Sequence, residues 1–215
     1  MLVEEIMQKN VITLLESATI QDAIQLLEEK RIRHLPIINQ KKQLIGIISD
    51  RDIRDARPSI FSSKEEDEIL SKQVSAIMTT NVVTAHPLDF IQEASSTFYT
   101  HRVGCLPVVD NEKLVGIITQ KEVLYCLTEL IGAHQPSSHI EIKVPNRLGV
   151  LAEIASIFKD YRINIISVIV RPSKENNQDK ILIFRVQTID PRRAIQEIQT
   201  AGFEVLWPSI PGGQR

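Results

Sequence analysis

Apolar residues recur along this chain with two different periods. Ile20, Ala23, Ile24 and Leu27 fall at i, i+3, i+4 and i+7, which predicts an amphipathic helix. Thr19 followed by Asp22 forms a capping-box pattern at its start. Residues 35–38 and 44–48 are short Ile-rich runs separated by the polar Asn39, Gln40, Lys41 and Lys42, the pattern of two strands joined as a hairpin. Ile91, Ala94 and Phe98 repeat the helical stripe, with Asp89 expected as its N-cap. Beyond residue 138 the periods alternate again. Residues 139–144 alternate apolar and polar, Leu151, Ile154, Ala155 and Phe158 form a helical stripe, and residues 163–170 are a β-branched run. A polar turn over 173–179 precedes a strand with Leu182, Phe184 and Val186 on one face. Asp190 and Pro191 read as N-cap and first helical residue of a last helix, lined by Ala194, Ile195, Ile198 and Ala201 and closed by Gly202. Residues 203–207 form the last strand, which completes a βαββαβ order, the ferredoxin-like arrangement.

An internal repeat organises the first 130 residues. Ile6-Met7 recurs as Ile77-Met78, Asn10-Val11-Ile12-Thr13 as Asn81-Val82-Val83-Thr84, and Ile20-Gln21-Asp22-Ala23 as Ile91-Gln92-Glu93-Ala94, all at an offset of 71. Leu35-Pro36-Ile37-Ile38 recurs as Leu106-Pro107-Val108-Val109 at the same offset. Leu44-Ile45-Gly46-Ile47-Ile48-Ser49 recurs as Leu114-Val115-Gly116-Ile117-Ile118-Thr119 at offset 70, after a one-residue deletion. Each copy predicts strand, helix, strand, strand, helix. A unit of about 55 residues buries little surface alone, so the two copies are expected to pack together.

Composition refines this picture without redirecting it. Apolar residues make up 43% and charged residues 24% of the 215, as in an ordinary globular chain. Residues 1–135 hold 14 Lys and Arg against 19 Asp and Glu, whereas residues 136–215 hold 11 against 8, so the two parts differ in character. The net charge of −2 leaves no electrostatic footprint for nucleic acid. The longest uncharged stretch, residues 73–88, is studded with Ser75, Thr79, Thr80, Asn81, Thr84 and His86, so no membrane span is expected. The acidic start, with Glu4 and Glu5, lacks a basic n-region, so no secretory signal is expected and the cytoplasm is the expected compartment. Cys105 and Cys126 have neither framework nor CxxC spacing and read as reduced, buried thiols. The five histidines show no metal-binding spacing, and there is no GxSxG, P-loop or GxGxxG, so no catalytic constellation emerges. The run Lys64-Glu65-Glu66-Asp67-Glu68 reads as a solvated linker between the copies.

Within each copy, Ile-Met, then Asn-Val-Ile-Thr or its variant, then Leu-Pro, then Gly-Ile-Ile-Ser/Thr resembles a CBS (cystathionine-β-synthase) domain. The tandem pair resembles a Bateman module. The expected boundaries are a first CBS domain over 1–60, a linker over 61–73, a second CBS domain over 74–132 and a linker over 133–137. The resemblance implies adenine-nucleotide binding in clefts between the paired sheets. The family's signature is Gly-apolar-apolar-Ser/Thr-x-x-Asp, whose hydroxyl contacts phosphate and whose carboxylate bonds ribose hydroxyls. The signature also lies where a helix begins, where backbone N–H groups serve a phosphate.

The first copy matches in full with Gly46, Ile47, Ile48, Ser49, Asp50, Arg51 and Asp52. The second matches through Gly116, Ile117, Ile118 and Thr119, with the longer Glu122 in place of the Asp. The resemblance places the other wall at Val11, Ile12, Thr13, Arg33, His34, Leu35 and Pro36 in the first copy. In the second it is Val82, Val83, Thr84, Gly104, Cys105, Leu106 and Pro107. Arg51 and Arg54 add positive charge around the first copy, and His101, Arg102 and Lys121 around the second. These residues do not separate AMP, ADP, ATP and S-adenosylmethionine. Ser49 and Asp52 are equally good helix-capping groups, and the pair then serves only as a dimerisation platform.

Residues 138–210 resemble an ACT domain through Val144-Pro145-Asn146-Arg147-Leu148-Gly149-Val150-Leu151-Ala152, followed by Ile163-Asn164-Ile165. Asn146 replaces the family's Asp and Leu148 its Pro. The resemblance implies an amino-acid effector site at Asn146, Leu148, Gly149, Val150, Asn164 and Ile165, or else a turn that only builds a self-associating unit. The expected fold class is therefore mixed α/β and α+β, a Bateman module followed by a ferredoxin-like ACT domain. The whole order is similar to the acetoin-utilisation AcuB proteins of bacteria, which implies a role in using acetoin or butanediol. The expected protein is a non-catalytic homodimeric sensor with no catalytic cofactor and no metal, acting on an unidentified protein target. A ligand-independent scaffold is the alternative.

Overall fold

A computed structural model of the chain describes residues 1–56, 68–175 and 178–208. The chain divides into two compact units, Met1–Leu124 and the remainder from Tyr125 onward.

In the first unit, copy one comprises α1 (Val3–Ile6), β1 (Leu14–Leu15), α2 (Ile20–Lys30), β2 (His34–Ile38), β3 (Leu44–Ser49) and α3 (Asp50–Ala56). Copy two comprises a 3-10 turn (Val74–Ala76), α4 (Ile91–His101), β4 (Cys105–Asp110), β5 (Lys113–Thr119) and α5 (Gln120–Leu130). The predicted stripes face inward: Ile20, Ala23 and Leu27 are buried on α2, and Ile91, Ala94 and Phe98 on α4. The capping box of α2 forms as predicted, with Thr19 Oγ1 accepting from the Asp22 N–H (3.1 Å) and Asp22 accepting from the Thr19 N–H (2.8 Å). Asp89 does not cap α4. Its carboxylate turns back to the His86 N–H (2.7 Å), and Glu93 reaches the Phe90 N–H (2.9 Å) instead, because the polar group one turn into the helix satisfies that donor.

The first strand of each copy is shorter than the sequence suggests. β1 covers Leu14–Leu15, after Val11, Ile12 and Thr13, and its counterpart is a single parallel bridge from Ala85 to Val108. The cause lies upstream, where each copy's leading segment crosses to the other copy. The Val3 N–H bonds to the Asp89 carbonyl (2.9 Å), and the Val74 N–H to the Ala18 carbonyl (2.9 Å). Gln8 exchanges backbone hydrogen bonds with Ile117 on β5 (2.9 and 3.0 Å), and Thr79 does the same with Ile47 on β3 (3.0 and 2.9 Å). The sheet β1-β2-β3 would otherwise expose β3 as a free edge, and this exchange covers it. The side chains follow: Val74, Ile77 and Met78 join the core built by Ala23, Leu27, Leu35, Ile37, Ile48 and Ile53.

In the second unit, β6 (Ser138–Pro145), α6 (Val150–Asp160), β7 (Ile165–Pro172), β8 (Asp179–Val186), α7 (Arg192–Thr200) and β9 (Glu204–Trp207) give the predicted βαββαβ order. The sheet order is β7-β8-β6-β9, all antiparallel. Leu182, Phe184 and Val186 pack with Ile140, Ile142 and Val144 beneath α6 and α7. The buried stripe of α6 is Val150, Ile154 and Phe158, and Leu151 is left exposed, because i, i+4, i+8 spacing holds the sheet-facing line over these two turns. The last helix starts at Arg192, one residue after the expected position, with Asp190 accepting from the Arg192 N–H (3.2 Å). Ala194, Ile195 and Ile198 are buried on it, while Ala201 lies exposed at its end. The C-terminal end of α5 belongs to this unit, where the Ser167 hydroxyl donates to the Ile131 carbonyl (3.0 Å).

Glycine in the repeated Leu-x-Gly motif has a steric cause. A Cβ at Gly46 would stand 2.6 Å from Met78 Sδ and 3.2 Å from the Thr79 carbonyl oxygen, and one at Gly116 would meet Met7 and the Gln8 carbonyl in the same way. The Met of Ile6-Met7 and of Ile77-Met78 therefore lies over the glycine of the opposite copy. Gly46→Ala and Gly116→Ala are each expected to destabilise the first unit by about 1–3 kcal/mol through overpacking. A urea titration followed by circular dichroism checks this, and unchanged midpoints for both variants would refute the exchanged packing.

Candidate functional site

The crossing of the leading segments creates two clefts in the first unit, each walled by both copies. Ser49 ends β3 and Asp52 lies in the first turn of α3, so both point from the strand-to-helix junction into a cavity of about 600 Å³. Asp52 Oδ2 accepts from the Ser49 N–H (2.7 Å) and the Ser49 hydroxyl (2.7 Å), and Ser49 Oγ accepts from the Asp52 N–H (3.3 Å). Arg33, His34 and Arg51 stand around the same cavity. The opposite wall is not Val11–Thr13, as the linear motif suggests, but Val82 and Val83 with Thr79 and Asn81, together with Gly104 and Cys105. The second cavity, about 570 Å³, joins Thr119, Gln120, Lys121 and Glu122 to Val11 and Ile12 with Gln8 and Asn10. Pairing within one copy was the natural reading of a linear motif, whereas the bridges Gln8–Ile117 and Ile47–Thr79 impose pairing between copies.

Other expected residues fall elsewhere. Thr84 lines a separate cavity of about 460 Å³ with Asn39, Gln43 and Glu112. Leu35, Pro36, Leu106 and Pro107 are buried within β2 and β4, where they fix the strands that carry the cleft. Thr13 lines neither cleft's described wall, and His101 ends α4 away from both. Arg102, expected beside the second copy's motif, instead faces the first cleft. Gln8, Thr79 and Gln120 were not singled out from sequence. Only the repeat offset, which pairs Gln8 with Thr79, carries a trace of the first two.

The first cleft is rich in arginine. Arg33, Arg51, Arg54 and Arg102 line it together with Asp50 and Asp52. Arg54 lies 3.9 Å from Asp50 with both side chains more than half exposed, a pair that contributes little stability. The remaining guanidiniums have no carboxylate partner among the described residues, so the cleft can hold an anion. The helices α2 and α4 end in Arg31, which lines the second cavity, and Arg102, which lines the first, both in the left-handed region (φ 52 and 53). A non-glycine residue there costs about 1–2 kcal/mol. The two strained positions are 71 residues apart and feed the loops that meet at the clefts.

His34 and Gly104 come together between the two clefts, and both residues line both cavities. A Cβ at position 104 would be 3.1 Å from His34 Cε1 and Nε2, so the imidazole lies directly over the glycine. Burial lowers the His34 pKa, opposed by Asp50 and Asp52 and reinforced by Arg33 and Arg51. Cys105, beside it, is buried, which pushes its thiol up to about 12 and keeps it protonated and unreactive at neutral pH.

In the second unit the six expected effector residues do not converge. Val150 is buried and Ile165 packs against the core. The Asn164 side chain donates to Gln187 (3.4 Å), and Leu148 is 98% exposed. The Asn146 N–H bonds to the Gln178 carbonyl (2.7 Å), Gly149 supplies the φ of 84 needed before α6, and Arg147 pairs with Glu153. Asn146 and Gly149 thus build the turn. Among the described residues no cluster of three or more His, Cys, Asp or Glu is arranged to hold a metal ion, and no helix is long and apolar enough to cross a membrane.

Two strand-helix motifs facing each other across exchanged leading segments, followed by a ferredoxin-like unit, define a tandem CBS module with an ACT domain. The CBS domain pattern matches residues 3–59 and 74–129, more than half of the chain, and the ACT domain pattern matches residues 138–203. The chain belongs to the CBS domain family and carries a C-terminal ACT domain. It is similar to a Vibrio cholerae protein described as an acetoin utilization protein (AcuB), 33% identical with a TM-score of 0.54, over 63% of this chain and 98% of that one. The CBS pair of protein MJ0100, solved with 5′-methylthioadenosine and S-adenosyl-L-methionine, is 29% identical with a TM-score of 0.52, over 63% and 98%. CBSX2, solved with AMP, is 27% identical with a TM-score of 0.52, over 59% and 95%. Among curated relatives, a homoserine O-acetyltransferase of Methanococcus vannielii is 35% identical over 128 residues, and this chain spans only 25% of its length.

The depressed His34 value has a sign for stability. The unfolded histidine titrates near 6.5, so below that pH the unfolded chain binds the proton that the folded His34 resists. The folded state is therefore favoured in full above about pH 6.5 and loses that contribution as pH falls toward the folded value. A His34→Asn variant is expected to lose less melting temperature than the parent between pH 7.5 and pH 5, by differential scanning calorimetry. Equal losses would exclude His34 as the titrating group.

Proposed function

We propose that this protein is a non-catalytic regulator that senses an adenine nucleotide in its CBS pair. The carrying observation is the Asp52 carboxylate, which lines a cleft rimmed by arginines and is held by Ser49 through Oδ2 alone, leaving Oδ1 without a hydrogen bond among the described residues. A carboxylate suits the vicinal hydroxyls of ribose, and the guanidiniums suit phosphate. Val82 and Val83 supply apolar wall and backbone for the base. The likeness to the AMP-bound CBSX2 supports AMP, ADP or ATP, and the likeness to MJ0100 supports S-adenosylmethionine. The likeness to AcuB, over 63% of this chain, supports a place in acetoin or butanediol utilisation. Binding would act by favouring one arrangement of the copies, which requires unequal affinity for the arrangements.

Self-association belongs to the same reading. Tyr99 is 88% exposed on α4, and Val168, Ile169 and Val170 are exposed along the edge strand β7. Apolar side chains on a free edge and a helix face support a homodimer. A cytoplasmic site of action and an unidentified protein target complete the proposal.

One observation favours the alternative of a ligand-independent scaffold. Ser49 and Asp52 satisfy each other as a reciprocal cap at the start of α3, and this alone would account for the motif.

A thermal-unfolding panel with AMP, ADP, ATP and S-adenosylmethionine separates the two. Ligand at a hundred times its dissociation constant adds about 2.7 kcal/mol, or about 5–10 °C for a chain of this size. Asp52→Ala is expected to abolish that shift while lowering the unliganded stability by about 0.5–2 kcal/mol through the lost cap. The lower baseline without any ligand-induced shift in the parent protein would favour the scaffold.

A further inference from the structure

The two clefts are built from the same motif, yet their carboxylates are not equally available. In the first cleft Asp52 uses only Oδ2, which takes the Ser49 N–H and hydroxyl at 2.7 Å each, and Oδ1 has no hydrogen bond among the described residues. In the second cleft Glu122 Oε2 accepts from the Thr119 N–H (2.9 Å) and, at closer range, from the Thr119 hydroxyl. Its other oxygen, Oε1, accepts from the side-chain amide of Gln8 (3.0 Å).

A carboxylate offers about four acceptor positions. Asp52 has two filled and keeps both of those on Oδ1. Glu122 has three filled and keeps one, fewer than the two a vicinal diol requires. The difference comes from two residues changed together between the copies. Gln8 stands where the second copy has Thr79, and Glu122 where the first copy has Asp52. Both leading segments are pinned to the opposite strand by the same backbone bridge, Gln8 to Ile117 and Thr79 to Ile47, so the side chains start from equivalent places. Asp52 has no hydrogen bond to Thr79 among the described residues. The longer Gln8 and the longer Glu122 meet.

We propose that Gln8 is an internal ligand of the second cleft, occupying the carboxylate oxygen that a ribose would use, so that the module takes one adenine nucleotide per chain, in the cleft of Ser49 and Asp52. This rests on the nucleotide-sensing reading above and adds which cleft binds and what closes the other. Gln8 discriminates by position, since a nucleotide entering the second cleft must first break its bond to a charged acceptor, equivalent to about a tenfold loss of affinity.

Isothermal titration of the full chain with AMP, with ATP and S-adenosylmethionine in parallel, tests it. The expected result is one site per chain in the parent protein, no site in Asp52→Ala, and a second, weaker site in Gln8→Ala. Gln8→Thr combined with Glu122→Asp, which copies the first cleft into the second, is expected to give two sites of similar affinity and serves if Gln8→Ala does not fold. Two sites in the parent protein would overturn the inference, as would a single site kept in Asp52→Ala and lost in Glu122→Ala, or a stoichiometry of one in both Gln8 variants. Absence of binding by all three compounds would remove the sensing reading itself, a different outcome from binding with the wrong stoichiometry.

Discussion

Everything in the first unit depends on the exchange of leading segments between the two copies. Gln8 completes β5 and Thr79 completes β3, each through a pair of backbone hydrogen bonds. Without that exchange each copy would expose an unpaired strand edge and lose part of its core, because Val74, Ile77 and Met78 fill the interior of copy one. The packing of Met78 over Gly46 and of Met7 over Gly116 makes the exchange specific, since only a residue without a Cβ leaves room there. Each copy thus takes a strand partner from the other, and copy one takes part of its core as well. The duplication is therefore a structural requirement as well as a repetition of a motif.

The same crossing makes the clefts. A signature such as Ser49 and Asp52 supplies one wall, and the other copy's leading segment supplies the opposite one. Arg33, His34, Gly104 and Gln120 line both cavities, so the partition between them is a single thin layer centred on the imidazole of His34. The two cavities are thus neighbours that share wall residues, with no long path through the core between them. The strained Arg31 and Arg102 lie in the loops that shape this partition, where conformational strain tends to accumulate at functional places.

The second unit is held differently. Its core is a single layer under two helices, with Phe158 against Phe184 at 5.1 Å between ring centroids. The turn before α6 is held by Arg147 on Glu153 and by the Asn146 backbone on Gln178 of the neighbouring β7–β8 turn. Leu148, 98% exposed on that turn, leaves an apolar side chain where the family pattern has a proline. The unit thus carries exposed apolar side chains on this turn and, at Val168, Ile169 and Val170, along its edge strand β7.

The sequence by itself determined the elements and the plan. The offset of 71, the stripes at Ile20, Ala23 and Leu27 and at Ile91, Ala94 and Phe98, and the alternation in β6 and β8 all reappear as buried faces. These signals are local, because the side chains concerned face a core whose direction is fixed by helical or strand period. The Ser49–Asp52 and Thr119–Glu122 pairs were legible through the resemblance to the CBS signature, a pattern contained within a few consecutive residues, and the structure joins each pair by a hydrogen bond. What stayed hidden was the partner of each. That Val82 and Val83 face Asp52, that Arg102 faces the first cleft, and that Gln8 reaches Glu122 over 114 positions all depend on the crossing of leading segments. The shift of the buried stripe to Val150 and the turn of Asp89 toward His86 were settled by competition among nearby groups for one place or one donor. Backbone pairing between distant segments leaves almost no mark on local pattern, so only the tertiary structure decided which residues share a cleft.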